Sequence, residues 1–195
     1  MPSFILASQS PRRKTLLEWA EIPFEIIISD ADESYPTSLA IEAVPEFIAK
    51  NKALAVKEMI LYTKPALANN CIIAADTVVV LDNKIIGKPS NKEQAIKSLL
   101  ALSGQTHKVI TGVVLLHQDK EMSFNEITLV EFHDLTQEQI EFYVDKYQPY
   151  DKAGGYAIQE WIGVVGIKKI TGDFYNVMGL PVSKLVQKIK QLNLS

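Results

Sequence analysis

The segment that most constrains the fold is a nearly continuous apolar run, CIIAADTVVVLD, at residues 71–82. Apolar and β-branched residues on both faces of a strand are typical of strands buried on both sides of a sheet. Such a sheet is usually covered by helices. The run therefore predicts an α/β protein.

Strand-like and helix-like runs alternate along the rest of the chain. Further strands are predicted at residues 4–8, 24–29, 107–117, 126–135 and 163–170. Helices are predicted to begin at Pro11 and to cover about residues 45–60, 91–102, 138–146 and 181–192. A hairpin is predicted at residues 119–120. Because hairpins and helical crossovers both occur, we expect a mixed sheet.

Two adjacent arginines, Arg12 and Arg13, stand near the start of the first predicted helix, in SQSPRRKTLL. Ser10 suits the N-cap position, and Pro11 suits the first helical position. Cations are misplaced at a helix N-terminus unless an anion joins them, so the pair predicts a phosphate site. A solvated first turn is the alternative. Because a first-turn side chain contributes little to a core, replacing Arg13 is expected to leave the fold intact.

Composition narrows the classes of function. The chain has 195 residues, 47% of them hydrophobic, and a net charge of −3. These values predict a single domain over residues 1–195 and argue against a nucleic-acid-binding surface. One cysteine excludes an internal disulfide. The sequence contains neither a membrane-spanning run nor a signal-peptide pattern, so we expect a cytoplasmic protein without a membrane partner.

Asp76 is the first candidate for chemistry, because it lies inside the apolar run as a lone acid. A buried carboxylate is costly without a partner. Metal binding or general-base catalysis would explain its place. The alternatives are a turn cap and an ion pair with a core cation.

Other candidates are weaker when taken one at a time. Lys88 follows Gly87 in a tight turn, Lys52 lies on the long predicted helix, and Glu33 lies in an acidic loop. Lys52 alone is more simply explained as a solvated residue. Glu33 is either a second carboxylate that binds a metal ion or an ordinary polar residue of a loop. The stretch YQPYDKAGGYAIQ predicts a loop that closes on a planar ligand, in which Gln159 could read a base edge.

Seven stretches together resemble the Maf family of nucleoside triphosphate pyrophosphatases. They are LASQSPRRKTLL, KNKA, AADTVV, GKP, LSGQTHKVITGV, DKAGGYAIQ and GDFYNVMGLPV, and they cover nearly the whole chain. The resemblance implies an elongated mixed β-sheet flanked by helices, with two lobes around a cleft, related to the inosine triphosphatase fold. It also implies hydrolysis of a nucleoside triphosphate to the monophosphate and pyrophosphate, assisted by Mg²⁺ or Mn²⁺.

The resemblance assigns roles to individual residues. Asp76 matches the family's proton acceptor, and Asp76 and Glu33 are the expected metal ligands. The triphosphate is expected to bind Arg12, Arg13, Lys52 and Lys88, with Ser8 and Glu33 lining the same pocket. The motif DKAGGYAIQ is similar to the subgroup that acts on dTTP and UTP. In that subgroup the positions of Arg12, Thr77 and Gln159 set base choice, and modified pyrimidine nucleotides are further candidate substrates.

A second hypothesis is a nucleotide-binding regulator of cell division, acting in septum inhibition without significant turnover. Asp76 discriminates the two hypotheses, because a protein that only binds an anion does not need a carboxylate facing it. The family resemblance is also compatible with a homodimer.

Overall fold

A single mixed sheet organises the computed structural model, which describes residues 4–192. Within that range the seven strands are β1 (Phe4–Leu6), β2 (Phe24–Ile26), β3 (Cys71–Leu81), β4 (Lys84–Ile86), β5 (Thr106–His117), β6 (Lys120–Phe132) and β7 (Ile167–Thr171). They follow one another in the order β2-β1-β3-β5-β6-β7, and β4 pairs with β3.

The strand directions confirm the mixed sheet. β1 is parallel to β2 and to β3, with Ile5 opposite Glu25 on one side and Ile72 on the other. β4 is antiparallel to β3, and β7 is antiparallel to β6. The turn between β5 and β6 contains Gln118, which has a φ of 56°. The predicted hairpin therefore lies within one residue of its observed place.

Seven α-helices flank the strands in the described part of the chain. They are α1 (Pro11–Trp19), α2 (Val44–Thr63), α3 (Lys92–Leu102), α4 (Gln137–Tyr147), α5 (Trp161–Gly166), α6 (Phe174–Met178) and α7 (Val182–Gln191). No helix among residues 4–192 combines the length and the apolar character that a membrane crossing needs.

Side-chain caps begin three of these helices as the sequence predicts. The Ser10 side chain accepts a hydrogen bond from the Arg13 backbone nitrogen at 3.5 Å, at the start of α1. Thr136 and Gln139 form a complete capping box at the start of α4. At α3, Asn91 caps the Gln94 backbone nitrogen, but the Gln94 side chain accepts from Ser90 instead of closing the box.

One predicted strand is partly wrong. The stretch GVVGIKKI was expected to be a strand throughout, but Gly163–Gly166 complete α5 and the strand begins at Ile167. The Glu160 carbonyl oxygen accepts hydrogen bonds from the Gly163 and Val164 nitrogens, which starts the helical turn. A Cβ at Gly163 would lie 1.7 Å from the Ile158 carbonyl oxygen, so this close turn requires glycine. The tight local contact outweighs the β-propensity of the two valines.

The chain divides into two compact units. Unit 1 comprises residues up to Asp76, then Thr111–Glu126, then the residues from Gly179 onward, and unit 2 comprises Thr77–Ile110 and Ile127–Met178. Each unit has its own apolar core. The core of unit 1 includes Ile5, Ala49, Ala53, Ile72 and Val114. The core of unit 2 includes Leu99, Leu102, Phe132, Ile140 and Tyr143.

Candidate active site

Asp76 is the last residue of the first segment of unit 1 and lies within β3. The residue is only 9% exposed, as the apolar run around it predicts. Its Oδ1 atom lies 2.7 Å from the Nζ atom of Lys52, which projects from α2. The partner cation compensates the cost of burying the carboxylate.

Lys52 contacts a second carboxylate as well. Its Nζ atom lies 2.7 Å from Glu33 Oε1, and the Lys52 side chain is only 17% exposed. One ammonium group therefore joins Glu33, from the segment between β2 and α2, to Asp76. These two contacts favour the interpretation that Lys52 lies with the other candidate residues over the alternative that it is a solvated surface lysine.

The two carboxylates fit a divalent metal ion. Mg²⁺ and Mn²⁺ prefer oxygen ligands, and Mg²⁺ is commonly held by one or two carboxylates together with substrate phosphates. Glu33 and Asp76 each place a carboxylate oxygen 2.7 Å from the same Lys52 ammonium group. No group of three or more His, Cys, Asp or Glu side chains in residues 4–192 is arranged to hold a metal. A ligand set drawn from these two residues therefore needs further oxygen ligands, from water or from substrate phosphates.

Arg13 is buried, contrary to the expectation for a first-turn side chain. It is 8% exposed, its Nε atom donates to the Gly179 carbonyl oxygen at 2.8 Å, and its Nη1 atom donates to Ser8 Oγ at 3.0 Å. Gly179 lies 166 residues along the chain from Arg13, so no local pattern could reveal this contact. The reason for expecting an intact fold without Arg13, that a first-turn side chain contributes little to a core, is therefore wrong for this residue.

Arg13 interacts electrostatically with the carboxylates of Asp76 and Glu33. Burial lowers the pKa of Arg13 from its usual value, while Asp76 and Glu33 act to raise it and Arg12 lowers it further. A guanidinium group remains protonated in proteins, so Arg13 keeps its positive charge. The structure thus brings together six predicted residues in unit 1, here called the charged cluster: Ser8, Arg12, Arg13, Glu33, Lys52 and Asp76.

The remaining predicted residues belong to unit 2. Thr77 is half-buried on β3, and Lys88 is exposed in the segment after β4. Gln159 is exposed in a turn whose Glu160 nitrogen donates to the Ala157 carbonyl oxygen at 3.1 Å. We call residues 157–160 the Gln159 turn.

The glycines next to the Gln159 turn hold a close backbone contact. Gly154 has a φ of 71°, and its nitrogen donates to the Gly87 carbonyl oxygen at 3.1 Å. A Cβ at Gly154 would lie 3.0 Å from a methyl group of Val79. The structure therefore joins the segment before Lys88 to the loop that leads to Gln159.

Sequence reasoning missed the buried polar contacts beneath the Gln159 turn. Lys152 is 8% exposed, and its Nζ atom lies 2.7 Å from Asp151 Oδ1 and 3.6 Å from Glu160 Oε1. The Tyr143 hydroxyl donates to the Glu160 carboxylate. The available signal was an acidic residue, Glu160, placed directly between Gln159 and an otherwise apolar stretch.

Comparisons with known proteins place the chain in a family. The family model described as Maf-like protein matches residues 3–192. Proteins named dTTP/UTP pyrophosphatase from Parabacteroides distasonis and Bacteroides thetaiotaomicron are 50% and 47% identical to this chain. The alignments cover 95% and 96% of this chain, and 94% and 95% of those relatives. A protein of the same name from Cytophaga hutchinsonii is 48% identical over 96% of this chain and 83% of its own length. The chain therefore belongs to the family of Maf-like proteins.

Proposed function

We propose that this chain hydrolyses dTTP and UTP to the nucleoside monophosphate and pyrophosphate. The chain is a nucleoside triphosphate pyrophosphatase, a hydrolase that acts on a phosphoric anhydride bond. Two observations support the assignment: the names of relatives that are 47–50% identical over nearly the full chain, and the charged cluster. We also infer that it works in the cytoplasm, where nucleoside triphosphates are held.

The observation that carries the mechanism is the burial of Asp76 among cations. A water molecule must lose a proton as its oxygen attacks phosphorus, and a positioned carboxylate can accept that proton. We assign this role to Asp76. The anhydride bond between the α and β phosphates then breaks, and pyrophosphate leaves with the bonding electrons. A protein that only binds nucleotides gains nothing from a buried carboxylate at its anion site, so turnover is favoured over a purely regulatory role.

The cations hold the substrate and the leaving group. Arg12 and Arg13 stand at the N-terminus of α1, where the helix dipole also favours an anion. Arginine can hold phosphate oxygens with two parallel hydrogen bonds, and lysine acts as a compact point charge. We assign triphosphate binding to Arg12, Arg13, Lys52 and Lys88, with Ser8 orienting the Arg13 guanidinium group.

Glu33 and Asp76 would hold the divalent metal ion that this reaction is expected to use. When bound, Mg²⁺ or Mn²⁺ supplies positive charge that neutralises phosphate oxygens as the anhydride bond breaks. A carboxylate has two oxygen atoms. Asp76 can therefore serve both as a ligand and as a proton acceptor.

Base choice is assigned to Gln159, with Arg12 and Thr77. Uracil and thymine present an N3–H donor between two carbonyl acceptors, and one side-chain amide can pair with this edge through its oxygen and its NH₂ group. Cytosine presents an acceptor at N3 and a donor at N4, which an amide held in the same orientation does not match. A mismatch leaves polar groups unpaired, so such sites discriminate strongly.

A panel of nucleoside triphosphates tests the proposal. UTP, dTTP, CTP, ATP and GTP are incubated with the protein and either Mg²⁺ or Mn²⁺, and pyrophosphate and orthophosphate are measured separately. We expect pyrophosphate and the monophosphate, formed fastest from UTP and dTTP. Orthophosphate as the product, or tight nucleotide binding without hydrolysis, would contradict the proposal, and the second result would support the regulator hypothesis.

A further inference from the structure

One buried hydroxyl group holds both ends of the Gln159 turn. Tyr143 projects from α4 and is 0% exposed. Its hydroxyl accepts a hydrogen bond from the Ala157 backbone nitrogen at 3.1 Å and donates one to Glu160 Oε2. Ala157 and Glu160 are the first and last residues of the turn. A single side chain from another helix therefore ties the two ends of this turn together.

The Glu160 carboxylate is available for this contact because it does not cap α5. Glu160 occupies the N-cap position of α5 but makes no side-chain capping bond there. Its Oε1 atom lies 3.6 Å from the Lys152 ammonium group, and the Lys152 side chain is only 10% exposed. The nearby cation offsets the cost of the partly buried carboxylate. The backbone of Glu160 is held as well, because its carbonyl oxygen accepts from the Gly163 nitrogen at 2.9 Å.

We propose that Tyr143 is a positioning residue for base recognition and acts through the Gln159 turn. The inference rests on the proposed function, because it assumes that the Gln159 amide reads the base. An amide that rotates freely can satisfy either pattern of donors and acceptors, so selectivity requires a fixed orientation. Gln159 is exposed, and the backbone that carries it therefore has to supply much of this order. The Tyr143 hydroxyl supplies the constraint at both ends of that backbone.

Tyr143→Phe tests the proposal because it removes the hydroxyl and keeps the buried ring. Tyr147→Phe is the matched control, since the Tyr147 ring stacks on that of Tyr143 with 5.0 Å between the centroids. We expect Tyr143→Phe to lower the ratio of kcat/KM for UTP to that for CTP by roughly three- to ten-fold. The change should appear mainly in KM for UTP, and Tyr147→Phe should leave the ratio unchanged.

The same substitution in a Gln159→Ala background separates positioning from a purely structural role. If Tyr143 acts through Gln159, then Tyr143→Phe changes the UTP to CTP ratio no further once the amide is gone. An unchanged ratio in the single variant would overturn the proposal. An equal loss on both nucleotides, or a further full loss in the Gln159→Ala background, would also overturn it.

A measurement without substrate distinguishes a failure of this inference from a failure of the proposed function. Hydrogen exchange at the residue 160 amide, whose acceptor is the Ala157 carbonyl oxygen, should become faster in Tyr143→Phe and stay unchanged in Tyr147→Phe. Exchange that stays at the wild-type rate would contradict the positioning role. A wild-type protein with no preference for UTP would contradict the proposed function, whatever the exchange result.

Glu160→Ala provides a second route if Tyr143→Phe does not fold. It removes one end of the same link from a side chain that is 21% exposed. We expect faster exchange at residue 160 and a lower UTP to CTP ratio. Glu160→Gln keeps an oxygen that can accept from the Tyr143 hydroxyl, so it should restore both values toward wild type. Identical behaviour of the Ala and Gln variants would overturn the proposal.

Discussion

The charged cluster of unit 1 and the Gln159 turn of unit 2 are built in opposite ways. In the cluster the side chains of Arg13, Lys52 and Asp76 are largely buried and are held by hydrogen bonds and ion pairs. The Glu33 side chain, by contrast, is 52% exposed. In the turn the functional amide is exposed, and buried neighbours hold only the backbone beneath it. Changes of the buried residues in the cluster should therefore affect both rate and stability, whereas a change of Gln159 should affect selectivity without affecting stability.

The largest effect is expected from Asp76→Asn, which removes the carboxylate charge and keeps the shape of the side chain. Loss of a general base lowers kcat by about 100-fold or more. Nucleotide binding should survive or improve, because a negative charge near the triphosphate is gone. Steady-state rates and direct binding of UTP check both parts.

Asp119→Asn is the matched control, since Asp119 is an exposed aspartate in the turn between β5 and β6. It should keep the wild-type rate. A near-normal rate in Asp76→Asn would remove Asp76 from the role of base.

Arg13→Ala should lower both activity and stability. A hydrogen bond to a charged group is worth roughly 1.5–3 kcal/mol, so kcat/KM for UTP should fall by about 10- to 150-fold. The substitution also removes the Arg13 donors to the buried Gly179 carbonyl oxygen and to Ser8 Oγ, so the melting temperature should fall as well. Kinetics and thermal unfolding of the same preparation measure the two effects.

Lys14→Ala is the control within the same helix, because Lys14 is half exposed and pairs only with Glu18 among the described ion pairs. Both values should stay close to wild type. If Arg13→Ala loses stability but keeps its kcat/KM, then Arg13 is structural and the anion site is wrong.

Gln159→Ala should change selectivity without changing stability. Loss of a discriminating amide narrows the gap between UTP and CTP by roughly 1–3 kcal/mol. The melting temperature should not move, because the side chain is exposed. Gln137→Ala, also exposed in unit 2, provides the control. Equal wild-type rates on CTP and UTP would refute the role of Gln159.

The smallest expected effect is a pH dependence of the free energy of unfolding, caused by a buried neutral pair in unit 2. His107 Nε2 lies 2.7 Å from the Tyr156 hydroxyl, and burial lowers the pKa of His107 from 6.5 to about 4. The unfolded chain therefore binds a proton more readily than the folded protein below pH 6.5. The contribution of the neutral His107 to the free energy of unfolding is therefore fully present above that pH. It falls as pH drops toward 4, by about 1 kcal/mol between pH 7 and 5.5.

Urea unfolding at the two pH values measures this loss. A His107→Leu/Tyr156→Phe double variant removes both polar groups and should lose that part of the pH dependence. The same pH dependence in the double variant and in wild type would show that His107 is not its source.

Local features of both the fold and the site were predictable from sequence. Ser10, Thr136 and Gln139 act through bonds to residues three positions away, so spacing alone reveals them. Pro11 suits the first helical position by its own backbone geometry. Asp76 was detectable because an acid inside an apolar run needs a partner. Strand β4 and helix α6, with three and five residues, are too short to show a hydrophobic period.

The contacts that order the site could not be predicted, because they join residues far apart in sequence. Arg13 reaches Gly179 across 166 positions, and Tyr143 reaches Glu160 from a different helix. Side chains such as these look like a first-turn cation and a core aromatic until the packing is known. Sequence therefore identified the chemical groups, but not the partners that hold them.

The central claim is that the charged cluster performs the hydrolysis and the Gln159 turn selects the base. The most direct test is kcat/KM for UTP and for CTP in wild type, Asp76→Asn and Gln159→Ala, measured side by side. The account predicts that Asp76→Asn lowers both values by a similar factor and keeps their ratio, whereas Gln159→Ala lowers the ratio. A ratio that shifts in Asp76→Asn and stays at the wild-type value in Gln159→Ala would contradict it.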